Sequence, residues 1–155
     1  MKSETDPITD NEYLLRRVRL KRFRTSDIPI ISPNAFEPRT KGRDIDTEGI
    51  SLYRESCLSN PVDILATVSE ERVGEYGIVR IPVACLKSLG LTAHPSPDPL
   101  IPGHVVIPEL NSTDYSNCKS AFTSIKLELA RLASEDGHIV RYPVDPPTSS
   151  LSKRL

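Results

Sequence analysis

Residues 76–110 read YGIVRIPVACLKSLGLTAHPSPDPLIPGHVVIPEL, and this stretch decides the fold class. Gly77-Ile78-Val79-Arg80-Ile81 is β-branched and apolar with one charge, the composition of a strand with a buried face. Pro82 ends it, because proline lacks the ladder donor and suits the first turn of a helix. Val83, Leu86 and Leu89 then recur every third residue, which gives a short helix one apolar side. Gly90 stands where a left-handed cap is expected. Pro95, Pro97, Pro99 and Pro102 follow, and a run so rich in proline is neither helix nor central strand. It reads as an extended, stiff connector to a second buried strand, His104-Val105-Val106-Ile107, stopped by Pro108. The two strands fit a parallel crossover or an antiparallel return equally well.

Outward from this unit, five further elements are expected. In Tyr13 to Phe23, YLLRRVRLKRF, Val18 and Leu20 fall on one side of a strand and Arg17, Arg19 and Lys21 on the other. Residues 49–54, GISLYR, alternate Ile50 and Leu52 against Ser51 and Tyr53, again a strand. Asn60, Pro61 and Asp63 supply the cap, the first-turn proline and the first-turn acid of a short helix running to about Thr67. Cys118, Ala121, Phe122, Ile125, Leu129, Leu132 and Ala133 share one helical stripe, while Lys119, Thr123, Lys126, Glu128 and Arg131 fall elsewhere. That pattern predicts an amphipathic helix over 117–134. Residues 138–142, HIVRY, form a last strand closed by Pro143. Ala35-Phe36 offers an aromatic to the core, and Thr25-Ser26-Asp27 marks a turn before the apolar run 28–31.

The expected architecture is one α+β domain over 12–143. It has a mixed or antiparallel sheet of about five strands, with the 117–134 helix and two short helices packed on it. Residues 1–11 are polar and acidic and read as a disordered lead-in. Residues 144–155, with Pro146-Pro147 and the basic Lys153-Arg154, read as a flexible tail. The 155 residues suffice for one core, although only 37% are hydrophobic and 14 are proline. No apolar run has the length of a membrane span, and no leader pattern opens the chain. Cys57, Cys85 and Cys118 lack any CxxC or Cys/His spacing, so buried free thiols in a reducing cytoplasm are expected, with no metal and no cofactor.

The net charge of −1 conceals segregation. Residues 13–43 carry nine Lys/Arg against two acids, and residues 44–75 carry eight acids against two Arg. Arg16, Arg17, Arg19, Lys21, Arg22 and Arg24 place six cations in nine residues. On a strand, every second one lines a face about 6.6 Å from the next, a spacing close to successive phosphates of an extended single strand. Tyr13 and Phe23 flank the run as stacking partners. The competing roles are pairing with the acidic block and protection of an edge strand. No RNA-recognition, KH or zinc-finger signature accompanies the run.

A second constellation comprises Tyr53, Arg54, Glu55, Arg80, His104 and Glu109, all at strands or strand ends. Gathered in one cleft, they would orient a phosphate and move a proton. Asp44, Asp46 and Glu48 resemble a fragment of a calcium loop without its closing acid. No P-loop, GxGxxG, GxSxG or HExxH is present. The function expected first is therefore a small cytoplasmic protein-binding module that works through a charged face. A nucleotide- or RNA-directed enzyme or toxin using His104 with nearby Arg and Tyr comes second. RNA binding through 16–24 comes third.

Overall fold

The computed structural model describes residues 1–24 and 30–144. The turn expected at 25–27, the residues Ile28 and Pro29, and the tail from 145 onward lie outside the described residues. The elements in chain order are β1 (Tyr13–Arg19), β2 (Phe23–Arg24), β3 (Ile30–Ile31), β4 (Ile50–Arg54), β5 (Tyr76–Pro82), α1 (Val83–Ser88), β6 (His94–Pro95), β7 (His104–Ile107), α2 (Ser112–Asn117), α3 (Thr123–Ala133) and β8 (Ile139–Arg141). Six strands form one antiparallel sheet in the order β6-β7-β4-β1-β5-β8, and β2 with β3 forms a separate two-stranded ribbon. The two strands of the central unit, β5 and β7, are not neighbours, since β4 and β1 lie between them. The proline-rich connector contributes β6, an edge strand of two residues, where a missing ladder donor is tolerated.

β1 is paired on both sides, along its whole length with β5 and at Leu14–Arg54 and Leu15–Tyr53 with β4. Alternation then assigns its side chains to two cores. Leu14 and Val18 join Ile50, Leu52, Val79, Ile81, Val105 and Ile107 on the face covered by α3 and by the 3-10 turn Pro33–Phe36. Phe36 is fully buried there, the aromatic expected of that turn. Leu15 joins Tyr53, Ile78, Leu58, Ile64, Leu65 and Ile101 on the opposite face. The Asn60 capping box is present, with its side chain accepting from Val62 N, but it opens a 3-10 helix (Pro61–Leu65) that ends before Thr67.

Three elements depart from their sequence expectations. The strand expected over 13–23 stops at Arg19, because Leu20–Arg22 form a 3-10 turn before β2 begins. The helix expected over 117–134 is interrupted at Cys118, whose φ of −153° and ψ of 77° are not helical. Upstream, α2 is capped by Asn111; downstream, a 3-10 turn over Lys119–Phe122 leads into α3. Residues 1–11, expected to be disordered, are hydrogen-bonded to the body of the domain: Lys2 N donates to Ser56 O, and Gly103 N donates to Glu4 Oε1. The polar groups of this segment are satisfied by backbone and side-chain hydrogen bonds.

The break at Cys118 also changes the helix's polar side. Lys126 is buried, and its Nζ donates to Tyr115 Oη at 2.9 Å and to Asn34 Oδ1 at 3.2 Å. Tyr115 Oη in turn donates to Glu37 Oε2. This chain of bonds fastens α3 to the 33–37 turn. Tyr115→Phe is expected to lower stability by about 1–2 kcal/mol, read as a shifted urea midpoint with an unchanged slope, because the ammonium loses a buried acceptor.

Candidate functional surfaces

The six cations of residues 16–24 fall in three settings. Arg16 points into the α3 face, where its Nε donates to Ala35 O at 2.7 Å and its Nη1 to Ser51 O at 2.9 Å, with the guanidinium 5.8 Å from the Phe36 ring centre. Burial pushes its pKa down to about 10, partly countered by Asp46, so it remains a cation at neutral pH but a structural one. Arg17 lies on the opposite face, donating to Thr67 Oγ1 at 3.1 Å with its guanidinium 5.9 Å from the Tyr53 ring centre. Arg19 donates to Tyr76 Oη at 3.2 Å and lies 5.8 Å from that ring's centre. Neither Arg17 nor Arg19 forms an ion pair with Asp44, Asp46 or Glu48.

Lys21, Arg22 and Arg24 leave the sheet altogether. Lys21 and Arg22 sit on the 3-10 turn and Arg24 on the short ribbon; Lys21 and Arg24 are exposed and Arg22 half-exposed. Leu20 and Ile30 are exposed beside them, and Arg24 pairs across the ribbon with Ile30. The result is a margin in which cations alternate with apolar side chains.

The second constellation is dispersed by the register. His104 pairs with Tyr53, Tyr53 with Leu15, and Leu15 with Arg80. At about 4.8 Å per strand, three steps separate His104 from Arg80 by roughly 14 Å. Arg80 forms an ion pair with Glu55 at 2.6 Å, donates to Gly137 O at 3.2 Å and stacks 5.2 Å from the Tyr13 ring centre. Its Nε is buried without a partner, the one such side-chain atom among the described residues. Arg54 is on the other face, buried against Glu12. Glu109 accepts from Thr92 N at 2.9 Å and from Thr92 Oγ1 at 2.6 Å, which binds the connector to the end of β7. Burial pushes the Glu109 carboxyl up, but the Thr92 bonds outweigh it and the pKa falls below the usual value.

His104 keeps one member of its expected set and gains another. Its ring lies 5.2 Å from that of Tyr53. Nδ1 is 2.5 Å from Ser96 O, and Nε2 is 2.9 Å from Ser51 Oγ. A carbonyl oxygen only accepts, so Nδ1 carries a proton. In the neutral ring Nε2 is then the acceptor of the Ser51 hydroxyl proton. Alternation places Ser51 and Tyr53 together in the sequence, but their meeting with His104 depends on the β4–β7 register.

An open depression of about 340 Å³ is lined by Lys2, Asn11, Glu12, Tyr13, Glu55 and Ser56. Its polar groups are largely engaged with each other, since Glu12 accepts from Lys2, Ser56 and Thr9. The acidic loop is likewise committed: Asp46 Oδ2 accepts from Arg39 N at 2.7 Å, and Asp44 pairs with the Arg39 guanidinium. Among the described residues no three His, Cys, Asp or Glu side chains are grouped to hold a metal ion, and no helix is long and apolar enough to cross a membrane. Comparison of the chain with protein-family models, with curated proteins and with solved structures gives no match.

Proposed function

We propose that this protein is a cytoplasmic binding module whose partner is an acidic protein segment, docked on the margin formed by Arg19, Leu20, Lys21, Arg22, Arg24 and Ile30. The observation that carries this reading is the division of the cations. Arg16 and Arg17 are spent on carbonyl, hydroxyl and aromatic contacts inside the fold, whereas Lys21 and Arg24 are held outward on short elements. Two exposed aliphatic side chains, Leu20 at 39% and Ile30 at 40%, lie within the same margin. A phosphate backbone is tracked by a continuous basic groove, and the strand-long comb of cations that would form one ends at Arg19. A short basic margin studded with aliphatic groups fits an acidic, amphipathic protein surface instead.

The test compares tagged wild-type protein with a Lys21→Glu, Arg22→Glu, Arg24→Glu variant in native lysate, with and without nuclease, at low and moderate salt. A protein captured by the wild type should survive nuclease, and the variant should bind it on the order of a hundredfold more weakly. Recovery of nucleic acid that salt removes would replace this reading with phosphate contact.

A further inference from the structure

The Ser51–His104 pair has an arrangement that the partner-binding margin does not use. Three components of nucleophilic catalysis are joined in sequence: a hydroxyl, an imidazole nitrogen with its lone pair facing that hydroxyl, and a fixed acceptor holding the other ring nitrogen's proton. The distances are 2.9 Å from Ser51 Oγ to His104 Nε2 and 2.5 Å from His104 Nδ1 to Ser96 O. This is the order nucleophile, base, orienting group. Ser51 and His104 are both half-buried rather than sealed. Arg17 and Tyr53 share their face of the sheet, the guanidinium 5.9 Å from the Tyr53 ring centre and that ring 5.2 Å from His104. Burial raises the Tyr53 pKa, so its hydroxyl stays a donor through neutral pH.

We propose that Ser51 is an activated nucleophile, with His104 as its general base, acting on carboxylic esters. Ser51 Oγ bonds to the ester carbonyl carbon as its proton passes to His104 Nε2. The tetrahedral intermediate collapses with cleavage of the ester C–O bond, and the leaving alkoxide takes that proton to depart as the alcohol. Water, deprotonated by the same nitrogen, then cleaves the Ser51 acyl ester, releasing the acid and restoring the hydroxyl. Tyr53 supplies a neutral donor on the same face.

The deciding experiment treats the full-length protein with a fluorophosphonate, which transfers its phosphonyl group to a serine oxygen as fluoride leaves, and maps the adduct by mass spectrometry. The expected result is modification at Ser51 that falls by at least an order of magnitude in His104→Gln. A second arm follows hydrolysis of p-nitrophenyl esters. Ser51→Ala should abolish that hydrolysis. Wild-type labelling decides the matter whether or not the variants fold. A folded wild-type protein that takes no adduct at Ser51, or an adduct rate that His104→Gln leaves unchanged, would overturn the proposal and leave the pair as a cross-strand polar contact.

Discussion

Arg54→Ala is expected to destabilise the domain by about 3–5 kcal/mol, the cost of leaving a buried ionic partner uncompensated. For a domain of this size that is a large part of a total stability of roughly 5–15 kcal/mol. The Arg54 side chain is 1% exposed and the Glu12 side chain 3%. The two meet in a two-pronged contact, Nε to Oε1 and Nη2 to Oε2, both at 2.9 Å. The remaining guanidinium protons go to the chain preceding Glu12, with Nη1 donating to Asp6 O at 2.7 Å and Nη2 to Pro7 O at 3.2 Å. One side chain thus anchors the amino-terminal segment, and its loss frees residues 1–12 together. Chemical denaturation measures the total; amide exchange at residues 2–12 and at Gly103 identifies the released segment.

The same pair sets an acid limit. Burial alone would push the Glu12 carboxyl up, but hydrogen bonds from Arg54, Ser56, Thr9 and Lys2 outweigh it and hold the pKa at about 2. A carboxyl lowered on folding contributes stability that is fully present above its unfolded pKa and lost as pH falls through the folded one. The window is therefore about pH 4.5 down to about 2, and about 3 kcal/mol disappears across it. In Glu12→Gln this portion of the acid slope should vanish. A slope identical to that of the wild type would show that the contact carries no such linkage.

Gly49→Ala is the second large effect, at about 3–4 kcal/mol. Gly49 has φ of +125°, and an added Cβ would lie 2.1 Å from Ile107 O and 2.5 Å from its carbonyl carbon. Those are backbone atoms of the strand that pairs with Ile50, so relief requires β4 and β7 to part at the Ile50–Ile107 rung. Gly42→Ala isolates the dihedral component. Gly42 has φ of +90° with nothing within 4 Å of the added carbon, and its substitution should cost only about 1–2 kcal/mol. Equal losses at both positions would mean that the contact with Ile107 contributes nothing.

Elements whose evidence is local are the ones the sequence discloses. Ile78, Val79 and Ile81 mark β5 by composition, Pro82 and Gly90 bracket α1, and Asn60 with Asp63 announces a capped turn. Single residues that break a sustained pattern are harder to detect. Leu20 continues the alternation of Val18, so nothing marks the 3-10 turn that removes Lys21 and Arg22 from the strand. Cys118 occupies an apolar helical position, yet its backbone ends α2 there. Lys126 looks like a solvent-facing charge until Tyr115 and Asn34 are seen to receive it. The sites depend most on distant pairings. His104 meets Ser51 across a separation of 53 residues, and Glu12 meets Arg54 across 42. Neither partnership has a local signature, so the sequence indicated His104 as a candidate and named Arg80, three strands away, as its companion instead of Ser51.

The placement of β1 has a consequence for how the chain is made. β1 is made before the other strands of its sheet, and its neighbours on both sides are residues 50–54 and 76–82. Until they emerge, YLLRRVR is a nascent strand with two open edges, the kind of segment that recruits other chains during synthesis. Arg16, Arg17 and Arg19 repel like copies at that stage, before the carbonyl of Ser51 and the hydroxyls of Thr67 and Tyr76 exist to receive them. The arginines therefore serve twice in time, first as gatekeepers of an unfinished chain and later as struts of the finished sheet.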